Sequence, residues 1–210
     1  MALKPYKTVL RASQAEFTEN KSRFIGRCFP VKSEAEAMAR LNEVRRAHYD
    51  ATHNCWAYLL SDGAQRFSDD GEPGGTAGMP IMDTLIRRDV KDALIVVTRY
   101  FGGILLGSGG LVRAYSKAAS DALNASGTGL MCPCTVLEFA VDYPRYGGIE
   151  GFVKANSVVD SIEFLENVRF RVTVRDEETA RFTAELAERT DGRAQPRVTA
   201  NRFMAVPAEE

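Results

Sequence analysis

Histidine, cysteine and long apolar runs are scarce in this chain, and each scarcity removes a class of function. Two histidines, His48 and His53, leave few candidates for imidazole chemistry. Cys28 and Cys55 stand singly in strand-like runs, and Cys132 and Cys134 form Cys-Pro-Cys rather than Cys-x-x-Cys, so no zinc spacing is present. His53 with Cys55 supplies two potential ligands and has no second pair nearby in sequence. The cysteines therefore read as reduced structural thiols, and neither a metal nor a cofactor is expected. A 210-residue chain buries roughly 70% of its unfolded surface and needs no cross-links for stability. The longest apolar runs, such as Ala93–Val97, fall far short of a membrane span. The first ten residues carry Lys4, Pro5 and Lys7 without an apolar core, unlike a signal peptide. A cytoplasmic protein without membrane contact is expected. The net charge of −1 argues against a nonspecific nucleic-acid coat. That charge is uneven: residues 1–132 carry +3 and residues 133–210 carry −4.

What is present suggests two domains, 1–130 and 131–210. The Gly-, Ser- and Pro-containing stretch Ala125–Cys134 reads as the linker between them. Beyond it the pattern is strand, helix, strand, strand, helix, strand. Leu137, Phe139, Val141 and Tyr143 alternate with polar or small residues, as in a half-buried strand. Tyr146–Ala155 is a short helix, and Val158–Leu165 and Val168–Val174 form a hairpin around Glu166-Asn167. Asp176 is a plausible N-cap for the following helix, Gly192 ends it, and Arg197–Met204 closes the domain. This is the order of a ferredoxin-like split βαβ fold. Arg169, Arg171 and Arg175 share one face of the second hairpin strand. They read either as an RNA-facing sheet or as a solvated face neutralised by neighbours such as Glu138 and Asp142.

In the first domain Tyr6–Arg11 and Ser22–Val31 are strand-like. Ser33-Glu34-Ala35-Glu36 is a capping box that opens a helix carrying Met38, Leu41 and Val44. Strands are expected at Asn54–Leu60, Gln65–Phe67 and Asp92–Thr98. A helix is expected within Thr76–Ile86, and a principal helix over Ser108–Ala125 with Leu111, Tyr115, Ala118, Ala119 and Ala122 as its apolar stripe.

The richest segment joins the strand ending near Thr98 to the principal helix through Gly102, Gly103, Gly107, Ser108, Gly109 and Gly110. A helix entered through glycines leaves backbone N–H groups bare and attracts anions. Arg113 and Lys117, one turn apart, together with Arg99, add positive charge, so phosphate or carboxylate binding is expected here. The competing reading pairs Lys117 with Asp121, leaves Arg113 in solvent, and uses the glycines for close packing. Neither a P-loop nor a Rossmann fingerprint fits, since Leu111 and Val112 occupy the positions that those motifs need otherwise. A second segment, Phe67–Pro80, places Asp69, Asp70 and Glu72 within four positions, followed by Gly74-Gly75-Thr76-Ala77-Gly78. These carboxylates, with His53, are the candidate catalytic groups; alternatively they bond the turn's own backbone or pair with Arg99. The glycines after them form a possible second backbone nest.

Ser22-Arg23-Phe24-Ile25-Gly26, His53-Asn54-Cys55-Trp56-Ala57-Tyr58, Phe67 through Ile81 and Val96 through Tyr115 together resemble the IMPACT family, in its YigZ-like bacterial form. The resemblance implies an α+β protein whose N-terminal domain is similar to domain 2 of ribosomal protein S5. It implies a C-terminal domain similar to the ferredoxin-like last domain of elongation factor G. It further implies a translation-associated partner, and the expected function is non-enzymatic binding of RNA, the ribosome or a ribosome-linked protein. The alternative is an enzyme acting on a small phosphorylated or carboxylated metabolite in the same cleft.

Overall fold

A computed structural model describes residues 5–207. The elements are β1 (Tyr6–Val9), β2 (Ser13–Glu19), β3 (Ser22–Pro30), α1 (Glu34–Ala47), β4 (His53–Leu59), β5 (Gln65–Ser68), α2 (Gly78–Arg87), β6 (Ala93–Tyr100), α3 (Gly107–Ser126), β7 (Thr128–Val141), α4 (Tyr143–Asn156), β8 (Val158–Phe164), β9 (Val168–Arg175), α5 (Asp176–Arg189) and β10 (Arg197–Pro207). They fold as two compact units, one built on Tyr6–Leu130 and the other on Met131–Met204.

The first unit has a sheet of order β2-β3-β6-β4-β5. Its central strand β6 is apolar from Ala93 to Val97, where both faces are covered. Ile95 and Val97 pack with Phe24, Ile81, Leu85 and Tyr115 beneath α2 and α3. Leu94 and Val96 pack with Leu41, Trp56 and Tyr58 beneath α1. Ser33 caps α1, its Oγ accepting the Glu36 N–H at 3.2 Å while Glu36 Oε2 accepts the Lys32 N–H at 2.8 Å. Close packing of α3 on β3 requires Gly26, where a Cβ would lie 2.3 Å from the Ala118 carbonyl oxygen. The sequence pattern misses β2, an edge strand whose Gln14, Glu16 and Thr18 give little apolar alternation. It is joined to β3 by the two-residue turn Asn20-Lys21, both residues at positive φ (46° and 63°), in the I′ manner of tight hairpins.

The second unit pairs β10 with β7, β7 with β9 and β9 with β8, the ferredoxin-like order. Residues of α4 and α5 join Leu137, Phe139, Phe170 and Val172 in one core. Asp176 is the first residue of α5 rather than its N-cap, a position held by Arg175; its Oδ1 instead accepts the Thr135 hydroxyl at 2.7 Å. The segment expected as a linker is ordered secondary structure: α3 runs to Ser126, Gly127 turns the chain at φ 64°, and β7 begins at Thr128. Its Gly and Ser serve a helix end, and Cys132 and Cys134 are buried strand residues.

All four cysteines are buried free thiols. Burial pushes the Cys28 thiol up to about 12 and the Cys55 thiol higher still, so both remain S–H at neutral pH. Iodoacetamide at pH 8 is therefore expected to leave all four unmodified in the native protein and to label all four after denaturation, read by intact mass. Rapid native labelling of any cysteine would show that its surroundings open. No helix among the described residues is long and apolar enough to cross a membrane.

Candidate functional site

Four distant stretches of sequence meet in the first unit around Glu72. This residue lies in the loop between β5 and α2 and is 8% exposed. Its Oε1 accepts hydrogen bonds from Arg99 Nη1 of β6 at 2.7 Å and from the Tyr115 hydroxyl of α3 at 2.7 Å. His53 of β4 stands behind it, with Nε2 3.8 Å from Glu72 Oε1. The His53 Nδ1–H donates to the Asp70 carbonyl at 2.8 Å, which assigns the tautomer and leaves Nε2 unprotonated in the neutral ring. The Arg99 guanidinium also donates to Ser22 Oγ on β3 at 3.3 Å and lies between the rings of Phe24 and Phe101, 5.5 and 5.4 Å from their centroids. Arg99 is only 5% exposed, so it neutralises Glu72 inside the protein instead of lending charge to an open surface.

The other acidic candidates are also engaged. The Asp69 carboxylate accepts three backbone N–H groups, those of Gly75, Ala77 and Gly78, at 2.8–3.0 Å. The second glycine nest therefore forms, and the chain's own carboxylate fills it at the start of α2. Asp70 joins the Arg45 guanidinium at 2.8 Å to the Asn54 N–H at 2.7 Å. Cys55 donates to the Asp69 carbonyl at 2.9 Å. Three neighbouring carboxylates thus perform three local tasks, and among the described residues no group of three His, Cys, Asp or Glu is placed to hold a metal ion.

The glycine-rich loop has a different character. Gly102 is pressed on the Lys21 backbone, and its N–H donates to Ser22 Oγ at 3.2 Å. Gly103 and Gly107 adopt φ of 83° and 70°, a region L-residues rarely enter. Gly107, Ser108 and Gly109 are exposed, and α3 starts from Leu106 with no side-chain cap. Gly110 packs close to Leu106. Phe17 and Glu19 of β2 face Leu106, Arg113 and Lys117 across a groove of about 170 Å³. Lys117 pairs with Asp121 and sits 4.4 Å from the Phe17 ring centroid. Arg113 is exposed and has no hydrogen-bond or ion-pair partner among the described residues. Large apolar side chains cluster on the same loop and the first turns of α3: Phe101 is 46% exposed, Ile104 43%, Leu105 84% and Val112 38%.

Reading from sequence misses Ser22 and the hydroxyl of Tyr115. Ser22 is wholly buried at the start of β3, and Tyr115 sits in the apolar stripe of α3 as expected. Its signal is a lone phenol among alanines, because a buried tyrosine hydroxyl needs a partner. In the second unit the arginine face is an ion-pair ladder. Arg171 meets Glu138 at 3.2 Å and Arg169 meets Glu163 at 3.9 Å, each opposite in register, while Arg175 joins Glu178 at 3.3 Å. Asp142, the other carboxylate expected on that face, caps α4.

The fold and the site define a two-unit α+β protein whose polar centre is buried and whose glycine loop is open. The Impact N-terminal domain matches residues 20–123, and a domain of unknown function, DUF1949, matches residues 139–193. The chain is 40% identical to the IMPACT family member YvyE of Bacillus subtilis, over 91% of this chain and 90% of the relative. It is 37% identical to the IMPACT family member YigZ of Escherichia coli, over 83% of this chain and 88% of the relative. A crystal structure titled only as a hypothetical protein aligns with a TM-score of 0.61 at 32% identity, covering 95% of this chain and 98% of the other. The chain belongs to the IMPACT family.

Proposed function

We propose that this protein is a non-enzymatic binding protein of the translation apparatus. It grips RNA, or a ribosome-linked partner, at the exposed start of α3. The observation that carries this reading is Arg113: an exposed guanidinium without a partner among the described residues, beside a helix N-terminus whose N–H groups no described side chain caps. A phosphate there would meet oriented backbone donors and a planar cation together. Lys117 extends the positive stripe one turn further along the groove. The likeness to folds of the translation machinery that the family resemblance implies for both units supports the reading by analogy. The enzyme alternative has less support, because Asp69, Asp70 and Glu72 are each committed to backbone or arginine partners.

Cosedimentation with ribosomes and with isolated ribosomal RNA, at low and moderate salt, tests the proposal. Wild-type protein is expected to associate, more weakly as salt rises. The Arg113→Ala, Lys117→Ala double variant is expected to bind about tenfold less tightly, the cost of one or two charge-assisted contacts. Both side chains are exposed, so the fold is expected to survive. Unchanged binding by the variant would remove the site. Absence of association at every salt would turn attention to small metabolites.

A further inference from the structure

We infer that Phe101 is a stacking platform for an unpaired RNA base. This rests on the binding reading above and names the form of the ligand: single-stranded rather than duplex RNA. Phe101 follows β6 directly, and its backbone is anchored at and just after it. Its N–H donates to Thr52 Oγ1 at 3.1 Å, and the next residue, Gly102, is anchored to Ser22. The Arg99 guanidinium supports the ring at 5.4 Å and is itself held by Glu72. An aromatic side chain on an anchored backbone, one face against a held guanidinium and 46% exposed, gives up less freedom when a base stacks on it.

The surroundings select the occupant. Leu105 and Ile104 offer further exposed apolar surface, which a protein partner would also use. An apolar partner alone leaves Arg113 unexplained. From Phe101 to Gly107 the chain spans at most about 20 Å, the reach of a few nucleotides. A strand with one base on Phe101 can therefore place a phosphate within a few nucleotides of it at the start of α3. Single-stranded recognition combines an aromatic face for bases with positive charge for the backbone. A duplex, its bases already stacked, cannot use the ring.

The test is fluorescence anisotropy with a fluorescein-labelled 12-nucleotide RNA of mixed sequence, alone and annealed to its complement, over a range of salt. Wild type is expected to prefer the single strand. Phe101→Leu keeps an apolar side chain but removes the π-face, and is expected to weaken single-strand binding about tenfold with the salt slope unchanged. Phe101→Trp is expected to restore it. The Arg113→Ala, Lys117→Ala variant is expected instead to lower the slope, by about 1.4 for two lost phosphate contacts. Wild-type affinity in Phe101→Leu, alongside a loss in the Arg113/Lys117 variant, overturns the platform and leaves the binding site standing. Equal affinity for duplex and single strand overturns it also. If no RNA binds but ribosomes still cosediment, the patch serves a protein partner and the inference falls. If neither binds, it falls with the function proposed above.

Discussion

Glu72→Ala is expected to destabilise the first unit by about 3–5 kcal/mol, the cost of stranding a buried charge. Arg99 is 5% exposed, and its charge is compensated through Glu72 Oε1. Without that carboxylate the guanidinium keeps only Ser22 Oγ and the two aromatic rings. The Tyr115 hydroxyl also loses its acceptor. Unfolding need not be two-state in a chain of two units, so a probe confined to one is needed. Trp56 is the only tryptophan and lies in the first unit, 5% exposed. Its fluorescence in a urea titration is the appropriate reading. Removing both charges, in Glu72→Leu with Arg99→Met, is expected to recover most of the loss, because apolar replacement of a buried pair is often close to neutral. A Glu72→Ala loss below about 1 kcal/mol would mean that solvent already reaches the pair and screens it.

The same pair shows what sequence can and cannot reveal. The acidic loop and Arg99 are both conspicuous, and their pairing is one of the two readings that the residues allow. Choosing between a buried pair and an exposed basic cleft requires knowing that β6 is covered on both faces as far as Arg99. That depends on how α2 and α3 pack, a long-range matter that no local spacing encodes. Elements with strong local signals are legible: the capping box of α1, the apolar run of β6 and the stripe of α3. β2 is not, because an edge strand with one face in solvent needs few apolar residues. The stretch Ala125–Cys134 misleads for the opposite reason. Gly and Ser mark a turn faithfully, yet one turned residue between a helix and a strand looks in sequence much like a linker. The glycine-rich loop is legible as a special backbone, but its glycines divide their work. Gly102 yields space to another backbone, while Gly103 and Gly107 supply positive φ.

That division leads to a second large effect, at Gly102. An ideal Cβ there would lie 2.0 Å from both the carbonyl carbon and the oxygen of Lys21, and 2.6 Å from the Lys21 Cβ. The two nearest obstacles are main chain, in a two-residue turn with both residues already at positive φ. The turn cannot retreat alone, because Ser22 follows it and binds both Arg99 and the Gly102 N–H. Gly102→Ala is therefore expected to cost about 3 kcal/mol, the upper part of the usual overpacking range, and to lower the Trp56 melting midpoint by roughly 10 °C. Gly109→Ala provides the contrast. There a Cβ meets nothing nearer than Arg113 Nη1 at 3.5 Å, inside the first turn of α3. Helix propensity alone predicts that this change is neutral or stabilising by up to about 1 kcal/mol. The two glycines stand in the same loop-to-helix segment, so opposite signs would separate a packing requirement from mere flexibility. The Gly102 change also shifts the chain immediately after Phe101. If that ring is the platform for a base, Gly102→Ala at a temperature where the protein remains folded should weaken single-stranded RNA binding as Phe101→Leu does. A folded Gly102→Ala protein with wild-type RNA affinity would show that the ring's placement, and hence its preorganisation, does not depend on the contact with the Lys21 turn.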